Sequence, residues 1–218
     1  MPHNALVIGA SGGIGQAVTD ALRTRGATVT TLSRSADGFD VTDPASVARH
    51  LDALDGPFDL VFVAVGVLGT PEKSLGAIEA DAMARVMAVN AIGPALILRH
   101  IGRLLPRSTP SVCAVLSARV GSIGDNRIGG WYSYRASKAA LNQIVHGAAI
   151  ELGRSHKQSC VVALHPGTVE TPFTADYAGH HKTVAASQAA ANLLGVIDDL
   201  GTDKSGQFFD YAGKTIPW

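Results

Sequence analysis

Near its start the chain passes from a short apolar run through a glycine-rich turn into a helical pattern. No other feature of the sequence restricts the possible folds as strongly. The apolar run is 6–8, and the turn reads Gly9-Ala10-Ser11-Gly12-Gly13-Ile14-Gly15. Such a turn lets the backbone approach a pyrophosphate closely, while the helix N-terminus supplies N–H donors and the positive end of its dipole. The six residues of the turn other than Ala10 are therefore predicted to bind a dinucleotide.

The rest of the chain alternates between strand-like and helix-like segments, as in a parallel sheet with helices on both faces. Strands are predicted near 4–9, 27–32, 59–65, 111–117, 159–165 and 206–210, and helices near 14–25, 44–54, 80–105, 132–153 and 184–199. A length of 218 residues with 46% hydrophobic content suits one substantial core. We predict an α/β fold in which 1–218 form one Rossmann-type, doubly wound domain, with ligands at the carboxyl edge of its sheet.

A second informative segment is Tyr134-Arg135-Ala136-Ser137-Lys138, in which a phenol and an ammonium four residues apart share one helix face. A nearby positive charge favours the phenolate and lowers the pKa of tyrosine. Proton exchange with a bound carbonyl or alcohol then becomes feasible near neutral pH. The alternative is a surface pair that stabilises the helix by a few tenths of a kcal/mol. The glycine turn at the other end of the chain favours the catalytic interpretation.

In this order, the two motifs resemble the short-chain dehydrogenase/reductase family. Further matches are Asp40-Val41 after the second strand, Asn90 followed by Gly93-Pro94, and the run His165-Pro166-Gly167-Thr168-Val169-Glu170-Thr171-Pro172. The resemblance spans essentially the whole chain. The region from Gly121 to Tyr134 looks most like the carbonyl reductase branch that includes the C-factor and sniffer proteins.

The resemblance implies an NAD(P)-dependent enzyme that transfers hydride to or from a carbonyl or alcohol. Tyr134 would be the general acid that protonates the carbonyl oxygen, and Lys138 would hold the nicotinamide ribose and lower the pKa of Tyr134. Asn90 would lie at a local break in its helix, where a backbone carbonyl holds a water of the proton relay. These three residues are predicted to be catalytic.

The family serine is the point at which this chain departs from the pattern. It usually lies three residues before the glycine at 121, and that position is Ala118 here. Ser117 is predicted to be the catalytic serine, with Ser122 as the alternative. Since neighbouring side chains of a strand point to opposite faces, Ser117 reaches the substrate only if the strand end bulges or twists.

The end of the second strand bears on the choice of cofactor. An NAD site offers an acidic residue there to the ribose 2′-hydroxyl, whereas this chain has Ser33 and Arg34, whose guanidinium suits a 2′-phosphate. NADP(H) is therefore predicted over NAD(H), unless Arg34 is only a solvated turn residue. By resemblance, Asp40 and Val41 lie near the adenine. The other predicted cofactor contacts are Ala64, Gly66, Tyr134, Lys138, Pro166, Gly167, Val169 and Thr171. Ala64-Val65-Gly66 stands where relatives carry Asn-Ala-Gly.

The predicted pocket walls are mostly apolar, which suits an apolar or aromatic carbonyl substrate. They are Ile123, Trp131, Tyr132, Phe173 and Tyr177, unless Trp131 and Phe173 pack at a subunit contact instead. His180 and His181 are adjacent and lack a third ligand nearby, so no metal site is predicted. The last strand and the tail 216–218 resemble family segments at dimer interfaces, which predicts a homodimer or homotetramer.

Net charge is zero and neither sign forms a long run, so the sequence predicts no binding to nucleic acid or to an acidic membrane surface. The N-terminus lacks a basic segment followed by a long apolar one, and Cys113 and Cys160 suggest no disulfide framework. We therefore expect a cytoplasmic protein. One alternative function is a weakly catalytic signalling or sensor protein on the same fold. Another is a different chemistry such as epimerisation or ester hydrolysis, for which no dedicated residue is found.

Overall fold

A parallel sheet forms the centre of the molecule. The computed structural model describes residues 2–173 and 183–218, and eight strands lie within these ranges. They are β1 (Asn4–Ile8), β2 (Thr28–Leu32), β3 (Leu60–Val63), β4 (Ser111–Leu116), β5 (Ser159–His165), β6 (Val169–Glu170), β7 (Val184–Ala185) and β8 (Phe208–Asp210). Six of them form one sheet in the order β2-β1-β3-β4-β5-β8, and β6 pairs separately with β7. Every strand pairing in both sheets is parallel.

Helices connect these strands on both faces of the sheet. Those of the described ranges are α1 (Gly13–Thr24), α2 (Arg34–Asp37), α3 (Pro44–Asp52), α4 (Ala80–Met87), α5 (Gly93–Leu104), α6 (Tyr132–Leu152) and α7 (Ala186–Asp198). A π-helical turn, Ala88–Ile92, joins α4 to α5 without a break. The six predicted strands and all the predicted helical regions are confirmed. The sequence did not predict α2, the β6–β7 pair or the π-helical turn.

Both faces of the sheet are buried, which explains why the strands read as continuous apolar runs. On one face, residues such as Leu6, Val61 and Val115 pack against α3, α5 and α6. On the other face, residues such as Val7 and Phe62 pack against α1 and α7. Alternate residues of each strand therefore belong to different cores.

The helical region 80–104 is long and apolar enough, by composition alone, to cross a membrane, although only 39% of its most apolar window is buried. Its α5 half nevertheless belongs to the protein core. Ile97, Ile101 and Leu104 of α5 are completely buried in the cluster beside the sheet. A helix that is buried against a sheet can be as long and as apolar as a membrane-spanning helix, so its length and composition alone do not distinguish the two.

The strand order creates a crevice at the carboxyl ends of β1 and β3. These two strands are neighbours, but α1 follows β1 on one face of the sheet, whereas α4 and α5 follow β3 towards the other face. Ligands of open α/β sheets bind at such a switch in strand order. The predicted site residues are therefore expected around this crevice.

Candidate active site

The glycine turn lies at the carboxyl end of β1 and is held by close backbone contacts. Gly9 has a φ of +88°, and a Cβ added there would lie 2.6 Å from the carbonyl oxygen of Ala64 at the end of β3. A Cβ added at Gly15 would collide with the carbonyl oxygen of Gly9. Only glycine fits these two positions, because any larger residue would push α1 away from the strand ends.

The N-terminus of α1 opens towards the crevice. Its N-cap residue, Gly12, provides no side-chain cap, and the first turn contains no acidic residue. Ser11, Gly12 and Gly13 are exposed. The N–H groups of a first helical turn have no partners within the helix, so this end of α1 fits an anionic pyrophosphate.

The segment after β5 lies against the glycine turn. A Cβ added at Gly13 would be 2.6 Å from Cγ2 of Thr171, so the Thr171 side chain packs directly on the turn. Gly167 follows Pro166 with a φ of +80°, and Val169 is buried in β6. Thr171 therefore lies beside the glycine turn, and Pro166, Gly167 and Val169 precede it at the carboxyl end of β5. Their cofactor contacts stay predictions.

Tyr134 and Lys138 lie on one face of α6, as their spacing predicts. Both are buried, with 7% and 3% of their surfaces exposed. Lys138 Nζ donates a hydrogen bond to the carbonyl oxygen of Leu116 at the end of β4 (3.1 Å), and it lies 6.0 Å from the centre of the Tyr134 ring. Gly121 permits this arrangement, because a Cβ added there would be 2.7 Å from Cβ of Lys138.

The pKa shift of Tyr134 is opposite in direction to the one that the sequence predicts. Burial raises the pKa of Tyr134 above its usual value and lowers the pKa of Lys138 to about 8. The predicted lowering of the Tyr134 pKa by Lys138 is therefore wrong for the structure described, because desolvation of the phenolate outweighs an ammonium 6.0 Å from the ring centre. Tyr134 is a neutral phenol at neutral pH, which is the form that donates a proton.

Asn90 is fully buried in the π-helical turn, which departs from α-helical geometry at the predicted position although the helix continues through it. Its side chain accepts a hydrogen bond from Val67 N–H (2.7 Å) and donates to the Val67 carbonyl (2.8 Å) and to Ser137 Oγ (3.0 Å). A Cβ added at Gly66 would lie 3.4 Å from both Asn90 Oδ1 and Lys138 Nζ. Asn90 thus connects the chain beyond β3 to α6, and it stabilises the segment in which the usual asparagine is replaced by Ala64. Its part in a proton relay stays a prediction.

Neither candidate serine points its hydroxyl towards Tyr134. Ser117 N–H continues the strand ladder to the Leu164 carbonyl, and Ser117 Oγ donates to Asn142 Oδ1 (2.6 Å). No bulge is present at Ser117, and Asn142 lies two helical turns beyond Tyr134, a separation of about 12 Å along α6. Ser122 Oγ donates instead to the carbonyl of Pro217 in the C-terminal tail. The strand distortion on which the catalytic prediction for Ser117 depended is therefore not found.

At the end of β2, Ser33 caps α2 by accepting a hydrogen bond from Ala36 N–H, and Arg34 is exposed. An acidic residue that the sequence did not predict also lies here. Asp37 Oδ2 accepts hydrogen bonds from Ser33 N–H (2.7 Å) and Ser33 Oγ (3.2 Å). Asp37 lies in a short helix rather than at the strand end, so the usual spacing did not reveal it.

Asp40 and Val41 follow α2 on the same side of the sheet. Hydrogen bonds from the Thr42 hydroxyl and N–H hold the pKa of Asp40 below its usual value. Val41 packs on the start of α5, since a Cβ added at Gly93 would be 2.9 Å from Val41 Cγ2. This contact places the predicted adenine residues beside the helix that follows Asn90.

Two of the predicted pocket walls contact the Tyr134 ring. The ring centres of Trp131 and Phe173 lie 6.2 and 6.1 Å from that of Tyr134. Ile123 is highly exposed and Tyr132 is half-buried. Tyr177, His180 and His181 lie outside the described residues.

This arrangement is that of the dinucleotide-binding α/β proteins, and residues 9–201 match the family described as Enoyl-(Acyl carrier protein) reductase. The chain belongs to the short-chain dehydrogenase/reductase family of oxidoreductases, as its motifs predict. It is 35% identical over 228 residues to the 1-hydroxy-2-glutathionyl-2-methyl-3-butene dehydrogenase of Rhodococcus sp. (strain AD45), with 98% of each chain covered. It is also 37% identical over 166 residues to the C-signal protein of Myxococcus xanthus, covering 75% of this chain and 94% of that protein.

Solved structures share the fold of this chain. The carbonyl reductase Sniffer of D. melanogaster superimposes with a TM-score of 0.87 at 20% identity and full coverage of both chains, which is a likeness of fold. A short-chain dehydrogenase/reductase from Burkholderia multivorans with bound NADP superimposes with a TM-score of 0.80 at 25% identity, again with full coverage of both chains.

Proposed function

We propose that the protein is an NADP(H)-dependent carbonyl reductase, or an alcohol dehydrogenase in the reverse direction, with Tyr134 as the general acid or base. The observation that carries this proposal is the position of the buried Tyr134–Lys138 pair. Lys138 is bonded to the Leu116 carbonyl at the end of β4 and lies beside Gly66, in the chain that follows β3, while the uncapped start of α1 follows β1 at the same edge of the sheet. A proton donor, an ammonium and a free helix start at one sheet edge support binding of a nicotinamide nucleotide there.

Different residues of this chain bind the cofactor and transfer the proton. The glycine turn and Thr171 bind the pyrophosphate, and the Lys138 ammonium holds the ribose. NADP(H), when bound, supplies or accepts the hydride. Tyr134 donates its phenolic proton to the carbonyl oxygen during reduction, and its phenolate takes the proton back during oxidation. Trp131 and Phe173 lie beside the Tyr134 ring and exclude water from the reacting atoms.

The surface around the crevice supports an apolar or aromatic substrate. Phe173 contacts the Tyr134 ring and is 39% exposed, while Val67 is held by Asn90 and is also 39% exposed. Ile123 and Ile128, in the loop before α6, are 77% and 90% exposed. Exposed apolar groups near a polar reacting centre favour a substrate that buries an apolar body and presents one carbonyl.

Two specific observations favour a second candidate, a signalling protein with little turnover. One relative of this chain is named C-signal, and Ala118 removes the hydroxyl that usually orients the substrate. NADPH fluorescence on binding, followed by a panel of apolar and aromatic ketones and aldehydes, distinguishes the two functions. We expect bound NADPH to be oxidised with at least one carbonyl of the panel. Tight NADPH binding with no oxidation above the uncatalysed rate would favour the signalling protein.

Arg34 is expected to set the preference for NADPH. Its exposed guanidinium suits a 2′-phosphate, so NADPH should bind at least about tenfold more tightly than NADH, or ~1.4 kcal/mol. Arg34→Ala should abolish most of this difference, whereas Arg49→Ala, an exposed arginine on α3, should leave it unchanged. The measurement is the dissociation constant of each cofactor by fluorescence. Equal constants in the unmutated protein would contradict the assignment and leave Asp37 as the dominant group at this end of the site.

The serine assignment can be resolved with a pair of substitutions. If Ser117 orients the carbonyl, Ser117→Ala should raise the barrier by ~2.7–4 kcal/mol, as for loss of one oxyanion donor. Its hydrogen bond to Asn142 leads us to expect less than about a tenfold change in kcat instead. Ala118→Ser, which restores the usual position of the hydroxyl, should raise kcat. A collapse of turnover in Ser117→Ala would show that the hydroxyl turns towards the substrate during the reaction.

A further inference from the structure

Glu72 is a buried carboxylate that the proposed chemistry does not use. It lies in the connection between β3 and α4, and only 6% of its surface is exposed. Its carboxylate accepts hydrogen bonds from Ser133 Oγ and, through both oxygens, from Ser133 N–H (3.3 and 3.2 Å). Its backbone carbonyl accepts a third hydrogen bond, from Trp131 N–H (2.7 Å). One residue of a distant segment therefore holds the start of α6 by both its side chain and its backbone.

The start of α6 needs such a partner. The first N–H groups of a helix have no acceptor within the helix and are normally capped by the N-cap side chain. The N-cap residue here is Trp131, which provides no side-chain cap. Trp131 also has a φ of +54°, a left-handed conformation that is unfavourable for a bulky residue and persists only when the surroundings hold it. Glu72 supplies both the cap and the bond that holds Trp131.

The charge of Glu72 suits this position. Burial is the largest single influence on the pKa of its carboxyl and raises it, but the hydrogen bonds from Ser133 and from the backbone of Glu72 and Tyr132 together outweigh burial and hold the pKa below its usual value. The carboxylate is therefore charged at neutral pH. A negative charge at a helix N-terminus is stabilised by the helix dipole.

Tyr134 is the third residue of α6, within the turn that Glu72 caps. We propose that Glu72 is a positioning residue for the reaction: by fixing Trp131 and the first turn of α6, it sets the place of the Tyr134 phenol relative to the substrate carbonyl. This inference rests on the proposed function, since it acts through Tyr134. Lys138 lies one turn further along and is bonded independently to Leu116, so cofactor binding does not depend on Glu72.

The test compares Glu72→Ala, Glu72→Gln and Ser133→Ala in the full chain, with kcat, KM and the NADPH dissociation constant measured for each. Glu72→Ala should lower kcat by up to about 10²-fold, the scale of a small misplacement of a reacting group, with NADPH affinity unchanged. Glu72→Gln keeps an acceptor oxygen and should recover part of the rate. Ser133→Ala removes the same side-chain contact, so it should lower kcat as well, and combining it with Glu72→Ala should add little.

Asp59→Ala is the matched control. Asp59 accepts hydrogen bonds from the backbone N–H groups of His3 and Asn4, at the start of β1 and therefore at the opposite edge of the sheet from the site. The Asp59→Ala variant should have a lower melting temperature but an unchanged kcat per folded molecule. The folded fraction is measured by NADPH binding. Glu72 variants that lose activity only in proportion to the folded fraction would overturn the inference. If Glu72→Ala does not fold, wild-type kcat in Ser133→Ala would overturn it, since that variant also loses the side-chain contact and is expected to have a lower kcat. Full turnover in Tyr134→Phe would instead contradict the proposed function itself.

Discussion

Replacement of Tyr134 by Phe is expected to lower the turnover of any carbonyl substrate by about 10²-fold or more, the usual scale of general acid catalysis. Phe keeps the ring that packs between Trp131 and Phe173 and removes only the phenolic proton. Because Tyr134 is not proposed to bind the cofactor through its charge, the affinity for NADPH should change little. The measurements are steady-state kcat and kcat/KM with a ketone from the panel, together with NADPH fluorescence.

Tyr132 provides the matched control. It stands two residues before Tyr134 and has no lysine four residues later, so Tyr132→Phe should change kcat by less than about tenfold. Unchanged turnover in Tyr134→Phe would refute the catalytic assignment and leave the signalling function as the better explanation. A loss of NADPH binding in Tyr134→Phe would show that the phenol serves the cofactor rather than the substrate.

Removal of the Lys138 charge is expected to affect stability and activity in opposite directions. Its pKa of about 8 in the folded protein lies below the ordinary value of 10.5, so the unfolded chain holds the proton more tightly. The cost of burying the ammonium is present in full below pH ~8, and it is relieved as pH rises from about 8 to 10.5. Lys138→Met should therefore stabilise the cofactor-free protein at pH 7 by about 1 to 2 kcal/mol, after allowing for the lost hydrogen bond to Leu116.

The same substitution should lower turnover by about 10²-fold or more and weaken NADPH binding, since no ammonium then holds the ribose. Thermal unfolding at pH 7 and pH 10 measures the first effect, and kcat with NADPH fluorescence measures the second. Lys157→Met, at an exposed lysine beyond α6, should change neither. A Lys138→Met protein that is less stable at pH 7, or that turns over at the normal rate, would contradict this account of the buried ammonium.

The sequence predicts the fold well because the signals of this fold are local. Each strand is a continuous apolar run between turns, and the helices show apolar residues at helical spacing. The glycine turn and the Tyr134–Lys138 pair are short motifs whose spacing alone defines their geometry. The path of these elements through the sheet then brings them to one crevice, as the switch in strand order requires.

The contacts that the sequence did not reveal join segments far apart in the chain. Glu72 and Ser133 are separated by 61 residues, and no periodicity connects a loop carboxylate to a helix start. Asn142 could have been found from the sequence, since it lies four residues after Lys138 and eight after Tyr134 and so shares their helix face. The predicted direction of the Tyr134 pKa shift was also wrong. Residue spacing shows that a charge is near, but it does not show how far burial removes water from the phenol. Homo-oligomer formation stays a prediction.

The π-helical turn between α4 and α5 changes the direction in which one continuous helix presents its side chains. One extra residue in a turn rotates everything before it by about 100° relative to everything after it. Asn90, within the π-helical turn, faces Val67 and Ser137, whereas Ile97 and Ile101, after the turn, face the core. The extra residue thus sets the phase at which a polar side chain at the site and apolar side chains in the core follow one another along a single helix.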